Sequence, residues 1–337
     1  NTTSTFTPPS TTAGVTYYRV LINAGNSGCD QAISNNAIAT INPDLVITSQ
    51  PTDVNECIGG TDQMFVVVTG GSGTITYQWQ SSANGSTGWA NAAGVGSTTS
   101  TFTPPSLVAG TTYYRVLVNA ANSGCDQVVS VNAVAVIAPE INITSQPTNV
   151  NECVGGTSIM TVVVTGGSGI ILYQWQQKPD GTNNWTNASG GGANTSVFTP
   201  PSAVAGTTYY RVIITATNNG CDQATSNTAT AIIAPDLSFT VQPNPLNECV
   251  GGTGTLSVTV AGGSGAITYQ WQSSPNGSSG WANVSGGGAN TPTYTPPSAT
   301  PGTIYYRVLV NAANSGCGQI ESIPVPVEID PDATISV

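Results

Sequence analysis

The feature that most constrains this chain is its period. Cys57, Cys153 and Cys249 are 96 residues apart, and Cys29, Cys125, Cys221 and Cys317 keep the same step. So do Trp79, Trp175 and Trp271 in YQW, and Arg19, Arg115, Arg211 and Arg307 in YYR. Pro43, Pro139, Pro235 and Pro331 mark the joins. A fixed period means tandem copies of one structural unit. Residues 1–43 form the C-terminal half of a unit, full units span 44–139, 140–235 and 236–331, and 332–337 begin another. Both ends fall inside a unit, so the sequence is expected to be a window on a longer array. Its odd total of seven cysteines then follows from where the window is cut.

Inside a unit the apolar residues alternate, which predicts strands. In LSVTV, Leu256, Val258 and Val260 alternate with Ser257 and Thr259; Ile75, Tyr77 and Trp79 share one face, as do Tyr114, Val116 and Val118. Glycine and proline clusters punctuate the strands, and no stretch has helical spacing. Seven or so short strands per unit make an all-β, antiparallel sandwich. The details favour an immunoglobulin-like one over fibronectin-III-like or polycystic-kidney-disease-like sandwiches. Trp79, Trp175 and Trp271 take the place of the core tryptophan on strand C. Val66 and Val116 replace the usual B–F disulfide with aliphatic packing. Tyr114, Tyr210 and Tyr306 sit where a tyrosine corner belongs.

The cysteines lie on two different turns. Cys57 is in NECIGG between strands A and B, at the bottom of the sandwich; Cys125 is in NSGCDQ between F and G, at the top. Strand length separates those ends by roughly 30 Å, whereas a disulfide needs Cα atoms within about 7 Å. Stacked end to end, the bottom of one unit meets the top of the next. That predicts bridges Cys57–Cys221 and Cys153–Cys317, with Cys29, Cys125 and Cys249 pairing outside the window. The alternative is one bridge per unit, Cys57–Cys125, Cys153–Cys221 and Cys249–Cys317, if the A–B segment folds back along the sandwich. Short joins such as IAPE (Ile137–Glu140) leave little slack, and proline stiffens them, so the array is expected to be a semi-rigid rod.

Glu56, Glu140 and Asp222 are expected to crowd the same junction, where their carboxylates offer a structural Ca²⁺ site that would stiffen the rod. Otherwise they are solvated loop acids, with Glu56 paired to Arg115. No other cofactor is indicated. Zinc is improbable because the cysteines are isolated and there is no histidine. The same lack rules out Ser-His-Asp and Cys-His catalysis, and the repeated acids fall on loops of different units, so no enzyme is expected. TGGSG (Thr69–Gly73) lacks the Lys-Ser/Thr ending of a phosphate loop. With 5 basic against 16 acidic residues, nucleic acid is not a partner. No apolar run is long enough to span a membrane within the window. Regular cysteines in a chain with so little charge point to an oxidising, extracellular setting.

The second tryptophans, Trp89, Trp185 and Trp281, either stack on sugar rings or cover the edge of the C–C′ hairpin. Asn-x-Ser/Thr sequons at Asn84, Asn142, Asn184 and Asn283 imply no glycan in so Asn-rich a chain. Val67, Val134 and Val136 face outward by alternation and offer a surface for lateral self-association.

Taken together, NEC-x-GG, TGGSG, YQWQ, AGTTYYR and NSGC resemble the Ig-like repeats of giant bacterial surface adhesins, above all the SprB-type gliding-motility adhesins exported by type IX secretion. The resemblance implies a stalk on the bacterial cell surface. Its partners would be neighbouring repeats, and a surface or glycan ligand would be held by an adhesive tip that lies outside this window. A multi-chain fibre and a carbohydrate-binding array are the alternatives.

Overall fold

The computed structural model describes residues 2–25, 28–122 and 126–333. Its chain divides into two compact units. One holds Asn1–Ile141 with Gly166–Ile171 and Ala216–Asp222; the other holds Asn142–Thr165, Leu172–Thr215 and Gln223–Val337. The described residues form strands and turns, and no helix is long and apolar enough to cross a membrane.

The first full repeat, in the first unit, shows how the sequence builds the fold. Ile75–Ser82 and Gly110–Ala120 pair antiparallel with Trp79 opposite Val116. Ala90–Asn91 extends this sheet on one side. Ala133–Ala138 and then Val54–Cys57 extend it on the other, and that last pairing is parallel. The facing layer is made of short pairs, Val46–Ser49 with Val67–Thr69 and Met64–Phe65 with Thr101–Phe102. The first strand therefore contributes to both layers. Between its halves lies buried Pro51, which has no N–H to give to a ladder. Gln50 Oε1 accepts from Val131 N (3.0 Å) and Asp53 Oδ1 from Val134 N (2.7 Å), bracing the crossing. This two-layer arrangement with a split first strand is immunoglobulin-like.

The core is where the alternation puts it. Trp79 is fully buried, stacks on Phe102 at 5.1 Å and donates Nε1–H to Thr99 O. Phe102 packs in turn against Tyr114. Val66 and Val116 are buried beside them. Burial pushes the Tyr114 phenol up, partly offset by a bond with Thr112.

In the second unit the same sheet order recurs in both later repeats. Trp175 stacks on Phe198, and Trp271 on Tyr294. Tyr210 and Tyr306 are buried in the position of Tyr114; burial, with Tyr294 close by, pushes Tyr306 up to about 12. Val134 and Val136 are half-buried, because Val54–Cys57 lies beside their strand, whereas Val67 is about half exposed.

Candidate functional site

The most elaborated parts of the chain are the turns where one repeat hands over to the next. Parallel pairing sets Cys57 opposite Ala138, at the end of the strand that leads into Pro139. Ile58 N donates to Ala138 O, continuing the ladder by one step. The chain then turns through Gly59, in the left-handed region at φ 83°, and Gly60 N bonds back to Cys57 O. Gly60 has no alternative: a Cβ there would collide with the Glu56 carboxylate. Ser106 fixes the turn from outside, its hydroxyl donating to Gly60 O (2.7 Å) and its carbonyl accepting from Gly59 N. Ser202 and Ser298 do the same for Gly156 and Gly252.

Onto this turn docks the loop before Cys221, all within the first unit. Cys57 N donates to Asn219 O (2.8 Å), and Asn219 Nδ2 reaches Thr61 Oγ1 and Asp62 Oδ1. Gly220, at φ 76°, lies so close that a Cβ would enter the Gly60 backbone. A disulfide joins Cys57 to Cys221, with Cα atoms 4.8 Å apart. Within the second unit Cys153 N donates to Ser315 O, Gly316 packs on Gly156, and Cys153 is bonded to Cys317 with Cα atoms 5.0 Å apart. A third contact uses the glycine-rich turns: Gly167 N donates to Pro139 O, and Gly263 N to Pro235 O, both at 2.8 Å. The shared GGSG turn thus clamps the carbonyl of the joining proline.

One bridge per repeat, as Cys57–Cys125, Cys153–Cys221 and Cys249–Cys317, is not the arrangement present. Each A–B turn stays at the end of the sheet beside the join and does not fold back, so Cys57 and Cys153 meet the loop of the following repeat. Cys125 lies outside the described residues. Cys29 and Cys249 are free and exposed. The contrast with Cys249 is informative. Among the described residues Cys57, Cys153, Glu56 and Glu152 are wholly buried where a loop docks on their turn, while Cys249 is exposed and Glu248 half-buried.

The acids do not assemble as a metal site. Glu140 Oε2 accepts from Asp222 N (2.8 Å), but Glu56 turns inward and spends Oε2 on Asp62 N (2.9 Å). Glu152 and Glu248 repeat the turn-closing bond to Ser158 N and Gly254 N. Among the described residues no three His, Cys, Asp or Glu side chains are grouped to hold a metal ion. Burial pushes the Glu56 carboxyl up, and neighbouring Asp62 adds to this, against the lowering effect of the Asp62 N–H. Nor does Glu56 pair with Arg115. That guanidinium lies 4.3 Å over the Trp89 ring and donates Nε–H to Gln80.

Arg211 and Arg307 cover Trp185 and Trp281 in the same way, at 4.5 and 4.4 Å. The second tryptophans are half-buried, and one face of each is occupied by a cation. Sequence reasoning missed Ser106, Gly60, Asn219 and Gly220; the recurrence of PPS, GG and the N-x-G-C loop at the same spacing was the available signal.

A family model described as "Domain of unknown function (DUF8696)" matches residues 49–139, 144–235 and 245–331. No curated protein matches the chain. Among solved structures, the I-band fragment I67-I69 of titin is similar at 14% identity, with a TM-score of 0.40 over 86% of this chain and 99% of that one. Three N-terminal domains of the bacteriophage RB49 Hoc capsid protein give 12%, 0.42, 86% and 100%. Immunoglobulin domains 1–5 of Sidekick-1 give 13%, 0.38, 96% and 68%.

Proposed function

The chain belongs to the DUF8696 family, and from that premise we propose that it is a stalk segment of a long extracellular bacterial surface adhesin, supplying reach and stiffness without catalysis. The observation that carries this is the covalent bond from each of two A–B turns to the next repeat, Cys57–Cys221 and Cys153–Cys317. A protein that only needed to bind or turn over a ligand has no use for welding its domains in series. Such bonds persist where the surroundings are oxidising, which fits the outside of a cell. The low share of charged residues suits a passive spacer. The likeness of NEC-x-GG, TGGSG and NSGC to gliding adhesins supports a role in gliding motility, with export by the type IX route.

Immunogold labelling of intact cells with antibodies to these repeats tests the proposal: labels should stand off the envelope without permeabilisation. Label seen only in opened cells rejects it. A multi-chain fibre is the second reading, favoured by Val67 and Val163, which are 47% and 53% exposed at equivalent positions. Sedimentation of the purified chain separates the two, since a fibre subunit self-associates with concentration and a stalk does not.

A further inference from the structure

The two disulfides interleave. In chain order the cysteines are Cys57, Cys153, Cys221 and Cys317, and the bonds join first to third and second to fourth. Each bond starts where a split first strand ends and arrives just ahead of a last strand. Those two strands are hydrogen-bonded neighbours running in the same direction within every repeat, with Val150 opposite Ala231 and Cys153 opposite Ala234 in the second.

Two continuous covalent routes follow. One crosses Pro139 by the backbone, runs along Asn142–Ser145 and Val150–Cys153, and leaves through Cys317 toward Val325–Asp330. The other leaves the first repeat at Cys57, enters at Cys221, runs along Ala229–Ala234 and crosses Pro235 to Ser238–Val241 and Leu246–Cys249. Each route needs only about 14 residues to cross a repeat. Trp175 and Phe198, with the strands that carry them (Ile171–Pro179 and Val197–Phe198), lie on the segment between Cys153 and Cys221, off both routes; the strands on the routes add Val150, Ala229 and Ala231 to the buried core.

We propose that these routes form a two-ply covalent cord, made of the first and last strands, that carries tension past the long segment holding the core aromatics and exchanges strands at every junction. Without the bridges, a pull enters a repeat by its first strand and leaves by its last, shearing one parallel neighbour against the other. With them, both neighbours are held at both ends, so the ladder between them bears little load. Unfolding also releases little length, because the bridges cut the covalent distance from end to end.

This deepens the stalk reading and rests on it for biological purpose; the mechanics rest on connectivity alone. The test is to stretch the full chain by its two termini on an optical trap, with the bridges mapped by mass spectrometry. At roughly 3.5 Å per residue, the shortest covalent path between the termini uses both bridges and the Cys153–Cys221 segment that joins them, about 144 residues, and caps extension near ~500 Å. Removing one bridge with Cys57→Ser and Cys221→Ser raises the cap to about 600 Å, and full reduction to about 1,200 Å. Only the reduced chain should show release steps near 300 Å, one per full repeat (~90 residues each). The caps hold whether or not a variant folds, since they depend on bonds and not on packing. An oxidised chain that passes ~600 Å, or shows such long steps, overturns the cord and leaves the surface-stalk reading standing; failed surface labelling does the reverse.

Discussion

Docking at the first junction depends on Gly220, and the cost of filling that position can be separated into two parts. Gly220→Ala must place a Cβ at φ 76°, where an L-residue costs about 1 kcal/mol relative to glycine. The new methyl also meets the Gly60 backbone and Cys57 O, neither of which can swing aside as a side chain could. Overpacking of that kind adds about 1–3 kcal/mol. Gly181→Ala supplies the control, because Gly181 has nearly the same φ, 75°, with nothing within 4 Å of its Cβ position. The backbone penalty is common to both variants, so their difference isolates the clash. The assay is the equilibrium of the Cys57–Cys221 bond against a glutathione buffer, read by peptide mapping. Gly220→Ala should shift it toward thiols by about 5- to 150-fold relative to Gly181→Ala, since each 1.4 kcal/mol is tenfold. Equal equilibria in the two variants would refute the claim that close backbone contact builds the junction.

Three further outcomes follow from the same structure. A carboxyl whose pKa is raised on folding favours its protonated form, so the stability Glu56 contributes is present in acid and lost as pH rises through its folded value; Glu56→Gln should flatten the melting temperature between pH 4 and pH 8. Tyr306, pushed up to about 12, keeps its full stabilisation below pH 10 and loses about 3 kcal/mol between pH 10 and 12, a slope that Tyr306→Phe should remove in urea titrations. Arg115→Ala uncovers one face of Trp89, so acrylamide quenching of its fluorescence should rise while stability falls by about 0.5–1 kcal/mol.

The sandwich was legible because strand burial leaves a period-two trace. Trp79, Val66 and Val116 sit where alternation puts them. The junction was legible only as a pairing of cysteines at known ends of known strands. Alternation could not say which way Glu56 points. It and Cys57 are both buried although adjacent, because the strand ends there and the turn wraps the carboxylate under Gly60. Turn stereochemistry decided that, and it is written in a pair of glycines with little to distinguish them from any other loop. Arg115 was misassigned for a similar reason. Its neighbours are set by cross-strand register, Arg115 opposite Gln80, which becomes visible only once the strands are paired.

The two bonds that tie a repeat to its successor have a consequence for how such genes can change. Because every partner lies at the same offset, excising or duplicating one whole copy by recombination returns each sulfur to an equivalent mate. Fractional gains or losses strand a thiol and misplace a proline. A change of repeat number that keeps the coupling intact is therefore limited to whole units.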